Sequence, residues 1–72
     1  MMPLTMASEG SRVRLKSVRA GQKLESRLAA LGLTPGTEVL IVNNGGNGPF
    51  IVEVKGSRLI LGRGMAQKIV VS

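Results

Sequence analysis

The 72-residue chain has no cysteine, histidine, aspartate, tryptophan or tyrosine, and each absence removes a class of chemistry. Without cysteine there is neither a disulfide nor a thiolate metal site, which fits a reducing cytosol. The usual ligands of zinc and ferrous iron are Cys, His and carboxylates, and here they shrink to Glu9, Glu25, Glu38 and Glu53. A tight transition-metal site within one chain is not expected. The same inventory denies a nucleophile its base: no serine has a distinguishing context for a Ser-Lys dyad, and Glu38 and Glu53 fall on expected strands with one solvated face. Neither catalysis nor a cofactor is expected. Phe50 is the only aromatic residue, so the stacking platforms for single-stranded nucleic acid and the aromatic grooves for Pro-rich ligands are missing too.

Long apolar runs are also absent. Val39-Leu40-Ile41-Val42 and Ile69-Val70-Val71 fall far short of the roughly 20 residues that span a bilayer. The lead-in MMPLTMASEG lacks the charged and apolar regions of a signal peptide. A soluble, cytoplasmic protein is the expectation, in one domain over residues 1–72.

What the chain does have is positive charge. Ten Lys and Arg against four Glu leave +6, and six of the ten basic residues lie between Arg12 and Arg27. An acidic partner surface follows from that balance. A domain this small buries only about 60% of the surface its unfolded chain exposes, so modest stability is expected.

Arg12-Val13-Arg14-Leu15-Lys16 alternates basic and apolar residues, the pattern of a strand with one face in a core. Between Gln22 and Leu31 the period lengthens: Leu24, Leu28 and Leu31 stand at i, i+4 and i+7 on one face of a helix of about ten residues. Gly32 then stands where a left-handed cap is expected, so that Leu33 folds back onto the helix. Thr34-Pro35-Gly36-Thr37 has the residues of a type II turn, with Pro presetting φ at the first central position and Gly accepting positive φ at the second. Further strands follow at 38–42, 50–55, 58–61 and 68–71, with a hairpin tip over Asn43 to Gly48 and a turn at Lys55-Gly56-Ser57. Five short strands and one small helix predict a strongly bent sheet, an open barrel.

Two glycine-rich stretches invite a phosphate-binding reading and fail on context. Leu59-Ile60-Leu61-Gly62-Arg63-Gly64 joins an expected strand to G-x-G, but Gln67 occupies the third glycine position and no long helix follows. A tight barrel turn at the two glycines is expected instead. Asn43 to Gly48 lacks the GK[ST] of a phosphate loop. The basic set Arg12, Arg14, Lys16, Arg19, Lys23 and Arg27 is read either as a solvated face or as a docking patch, with Arg12, Arg14 and Lys16 sharing one side of the first strand. Leu24, Leu28, Leu31 and Leu33 form the helix's buried seam, and any left exposed near Arg27 would make an apolar patch with a basic rim.

The succession Arg27-Leu28, Leu31-Gly32-Leu33, Pro35-Gly36, then Val39, the Gly48-Pro49 hairpin end, Leu59, Leu61, Ala66, Ile69 and Val71 resembles the FeoA family of bacterial ferrous-iron transport. The most specific part is the R-L-x-x-L-G-L-x-P-G block. The resemblance implies a mainly β fold, a small SH3-like β-barrel with one short inserted α-helix. It also implies a non-enzymatic accessory or regulatory protein that docks on the cytosolic domain of the FeoB transporter and meets the membrane only through that partner. A similar domain ends the DtxR-type repressors, and a metal-binding label accompanies the family. The chain departs from the family pattern at Gly62-Arg63-Gly64-Met65, and at Asn43 to Gly48, where a softer tip is expected.

The expected docking residues are Arg27, Leu28, Leu31 and Leu33 as the apolar contact and its rim, with Arg12 and Arg14 of the basic first strand steering association. Two rival readings are a small basic nucleic-acid-binding barrel and a metal-sensing module whose carboxylates combine between subunits. Association with further copies of the chain is left open by these residues.

Overall fold

The computed structural model describes residues 1–45 and 48–72. Strand β1 (Met2–Pro3) leads through a 3₁₀ turn (Leu4–Met6) to β2 (Arg12–Val18), helix α1 (Gln22–Ala30), β3 (Glu38–Asn43), β4 (Phe50–Val54) and β5 (Ser57–Leu61). A helical turn α2 (Arg63–Ala66) and β6 (Ile69–Val71) complete the chain. The six strands form one antiparallel sheet in the order β1-β6-β2-β3-β4-β5.

Strand β2 bends the sheet. Its first half pairs with β3 (Arg12 to Leu40, Val13 to Val39, Arg14 to Glu38), whereas from Leu15 onward it pairs with β6. The register shifts between Leu15 and Ser17, a bulge that raises local twist and turns the strand from one half of the sheet to the other. A second register shift, between Ile41 and Asn43, bends β3 against β4. The alternation expected from the sequence is present: Val13 and Leu15 are buried while Arg12, Arg14 and Lys16 face water. Val39, Ile41, Phe50, Val52, Val54, Ile69 and Val71 fill the rest of the interior with Leu28 and Leu33.

The sequence pattern predicts five strands, and the described residues form six. Met2–Pro3 is too short to show a period, yet it pairs with Val71 and Val70 at the other end of the chain and delivers Leu4 and Ala7 into the core. The expected turn at Gly62 and Gly64 is instead the start of α2. Gly62 is its N-cap with an ordinary extended backbone, and neither glycine has positive φ. Of the expected hairpin tip, Gly46 and Asn47 lie outside the described residues. Its flanks are tied down: the Asn44 amide nitrogen Nδ2 donates to the carbonyls of Thr5 (3.0 Å) and Ala7 (2.7 Å), its backbone N–H donates to Glu9 Oε1 (2.7 Å), and Arg63 donates to its Oδ1 (3.0 Å). The Arg63 guanidinium also lies 5.7 Å from the Phe50 ring centroid, a cation–π distance.

Candidate partner-docking surface

Helix α1 ends in the device that Gly32 suggested. Leu31 is the C-cap, with φ −89° and ψ 1°. Gly32 follows at φ +92°, its N–H donates to Ala29 O (2.9 Å), and the Leu33 N–H reaches back to Leu28 O (2.9 Å). These two bonds define the Schellman motif, which satisfies carbonyls at the helix end and sets an apolar pair at its two ends, here Leu28 and Leu33. Both side chains are sealed in the core, at 0% and 1% exposure.

The exit turn is equally well anchored. Thr37 N–H donates to Thr34 O (3.0 Å) around Pro35 and Gly36, and Gly36 has φ +91°. The turn then clips onto β2, with Gly36 N–H to Leu15 O (2.8 Å) and Leu15 N–H to Thr37 O (2.9 Å). The corner is therefore held rigidly at the β2 bend.

This geometry divides the expected docking residues. The cap turns Leu28 and Leu33 inward, where, contrary to the expected contact role, they offer almost no surface to a partner. Helical periodicity places Leu31 in the buried seam, but the helix ends at Ala30, and the cap leaves Leu31 49% exposed. Leu33 takes the inward place instead. The Arg27 side chain, one turn before Leu31, is exposed and makes no hydrogen bond or ion pair among the described residues, as is also true of the Lys23 side chain.

Arg12 and Arg14 are exposed but engaged. Arg12 Nη1 lies 3.2 Å from Glu38 Oε1, and Arg14 Nη1 donates to Gly36 O (2.9 Å). The first is an exposed ion pair of small energetic weight; the second fastens β2 to the exit turn. On the other flank of α1, Lys16, Ser17, Val18, Glu25, Ala29, Leu33, Thr34 and Pro35 line a cleft of about 190 Å³ between helix and β2.

One neighbour of the corner was not singled out from the sequence. The β4–β5 turn comes up against the end of α1, so that a Cβ built on Gly32 would lie 3.6 Å from Val54 Cγ1 and 3.9 Å from Lys55 Cδ. The Lys-Gly-Ser stretch signals a turn, but only folding brings it to Leu31.

Glu38 and Glu53 lie by Arg12 and Arg58 and line one cleft with Lys55, whereas Glu9 accepts from the Asn44 N–H and Glu25 lines the cleft beside α1. Among the described residues no three of His, Cys, Asp and Glu come together in a way that could hold a metal ion.

Comparison with known proteins finds FeoA proteins and, over about a third of their own length, structures of ScaR with bound zinc or cadmium, at TM-scores of 0.86 and 0.88 and 25% identity. The FeoA domain matches residues 2–72. A protein of Methanocaldococcus jannaschii, provisionally named Fe(2+) transport protein A, is 41% identical over 71 residues, covering 99% of this chain and 85% of its own length. The crystal structure of an iron uptake regulatory protein, FeoA, superposes with TM-score 0.88 at 28% identity, over 99% of this chain and 93% of that one. FeoA of Stenotrophomonas maltophilia, solved with zinc, gives TM-score 0.84 at 30% identity over 100% and 91% of the two chains. It is described as a procaryotic SH3 domain protein and a candidate ferrous-iron transport activating factor.

Proposed function

Because the chain belongs to the FeoA family, whose members are tied to ferrous-iron transport, we propose that it is a non-catalytic accessory protein that docks on the cytosolic part of a FeoB-type transporter. The mainly β, SH3-like architecture suits such an adaptor, since it presents a rigid corner without a catalytic constellation. No helix among the described residues is long and apolar enough to cross a membrane, which accords with action from the cytosol through the partner.

The observation that carries the reading is Leu31, a large apolar side chain half exposed on a rigid Schellman cap, with the unpaired Arg27 guanidinium one turn away. An apolar spot with a basic rim is how small docking surfaces gain both affinity and orientation. Arg12 and Arg14, exposed on β2, add positive potential that steers association. Leu28 and Leu33 contribute from below by holding the cap.

Co-purification with the transporter's cytosolic domain, with and without a GTP analogue, tests the reading. Wild type is retained and Leu31→Glu is lost; equal retention of both removes this corner from the interface.

The zinc bound by the S. maltophilia protein favours a second reading, metal binding. In this chain the carboxylates are too dispersed for one copy to enclose a cation, so a site would combine carboxylates between copies. Calorimetry with ferrous or manganous ion checks it, and no heat at millimolar metal ends it.

A further inference from the structure

Resting on that docking reading, we propose that Lys55 is a specificity-determining residue of the same surface. The partner it fits is an acidic protein segment carrying an apolar side chain between carboxylates.

The first observation is conformational. Val54 pairs with Ser57, so Lys55 and Gly56 form a two-residue loop, and both have positive φ, 52° and 81°. This is the pattern of a type I′ turn, whose central positions favour Asn, Asp and Gly. Lys55 is the one residue other than glycine with positive φ among the described residues. A lysine at a left-handed position that favours Asn, Asp or Gly is an outlier from which a functional role is inferred.

The second observation is placement. The Lys55 stem lies against Gly32, one residue from the exposed Leu31. The surface is thus assembled from two segments: Lys23 and Arg27 on successive turns of α1, Leu31 at its cap, and Lys55 from the β4–β5 turn.

The third is charge. Lys23, Arg27 and Lys55 have no ion pair among the described residues. The carboxylates closest to Lys55 along the sheet are already beside arginines, Glu53 at Arg58 (3.8 Å) and Glu38 at Arg12 (3.2 Å). Glu25 lies on the opposite flank of the helix, in the cleft with Lys16. Lys55 lines a cleft with Arg12, Glu38 and Glu53, but those two glutamates are matched by Arg12 and Arg58, so Lys55, Arg27 and Lys23 leave this side of the molecule net positive, which complements carboxylates flanking an apolar residue. A lipid bilayer would be recognised by charge alone. It would engage the Arg19–Lys68 edge, where Arg19 N–H meets Lys68 O, as readily as this corner.

The test uses a variant that is expected to fold better than wild type. Lys55→Gly removes the charge and relieves the strain. The full ¹⁵N-labelled chain is titrated with a blocked synthetic peptide alternating glutamate and leucine. Amide shifts are expected within residues 23–32 and 54–57, with Lys55→Gly binding about two- to fivefold more weakly at an unchanged or higher melting temperature, and Lys55→Arg restoring wild-type affinity. Unaltered affinity in Lys55→Gly overturns the proposal, as do shifts of equal size at Arg19 and Lys68. So does sedimentation with phosphatidylserine-containing vesicles in the absence of any peptide response.

A parallel titration with the transporter's cytosolic domain separates the two readings. If the peptide result holds and the domain does not bind, the docking reading fails and the acidic-segment surface stands. If the domain binds through Leu31 and Lys55→Gly is indifferent in both titrations, the role of Lys55 fails alone.

Discussion

Leu28 and Leu31 are three residues apart on the same helical end, and opposite outcomes are expected when each is truncated. Leu28 is fully buried at the third position before the cap, packed in the core that also holds Leu33. Leu28→Ala removes three heavy atoms from a closed interior, and such a change costs about 2–5 kcal/mol, the larger part of it if the cavity does not collapse. At roughly 0.05–0.15 kcal/mol per residue, a 72-residue domain has about 4–11 kcal/mol to lose, so the variant sits near the edge of folding. Leu31 is 49% exposed, which leaves about half of a leucine's burial term of roughly 1.5–3 kcal/mol at stake, so Leu31→Ala costs at most about 1.5 kcal/mol. Urea unfolding followed by far-ultraviolet circular dichroism measures both, since the chain has no tryptophan or tyrosine for intrinsic fluorescence. The functional expectation is reversed: Leu31→Ala stays folded with a modestly lower midpoint and loses partner retention, whereas retention by Leu28→Ala follows its folded fraction. A Leu31→Ala midpoint that falls as far as that of Leu28→Ala would refute the orientation of the helix and the reasoning built on it.

Three further outcomes follow from backbone and hydrogen-bond geometry. Gly32→Ala destabilises by about 1–2 kcal/mol in urea unfolding, because φ +92° penalises a Cβ although the nearest side-chain atom is at an ordinary 3.6 Å. Gly64→Ala does the opposite: it lies within α2, has no positive φ and has nothing within 4 Å of an added Cβ, so stability rises by about 0.5–1 kcal/mol. Asn44→Ala loses the side-chain bonds that join Thr5, Ala7 and Arg63, and costs about 1–3 kcal/mol, with faster hydrogen exchange at the hairpin flanks as the local signature.

Much of the corner was legible because its signals are local. A Schellman cap needs a residue tolerant of positive φ immediately after the helix, and Gly32 supplies it; a type II turn needs Pro then Gly, and Pro35-Gly36 supply them. The strands at β2, β3 and β4 could be read because one buried face imposes a period of two. The errors arose where a residue's environment depends on distant chain. Periodicity extended the seam to Leu31, but it cannot say at which residue the helix stops. Arg63, in the stretch that departs from the family pattern, had no local feature that would tie it to Asn44 and Phe50.

Legible in the amino-acid order alone were the mainly β character, helix α1 with its cap and exit turn, and the positive charge. Those properties rest on composition and on interactions spanning a few residues. The tertiary structure alone decided that β1 closes on the far end of the chain, that Leu28 and Leu33 belong to the core while Leu31 faces outward, and that Lys55 comes to stand beside the helix end. Each of these depends on which distant strands pair and how β2 bends, and a one-residue difference in where the helix stops was enough to exchange the inward and outward leucines.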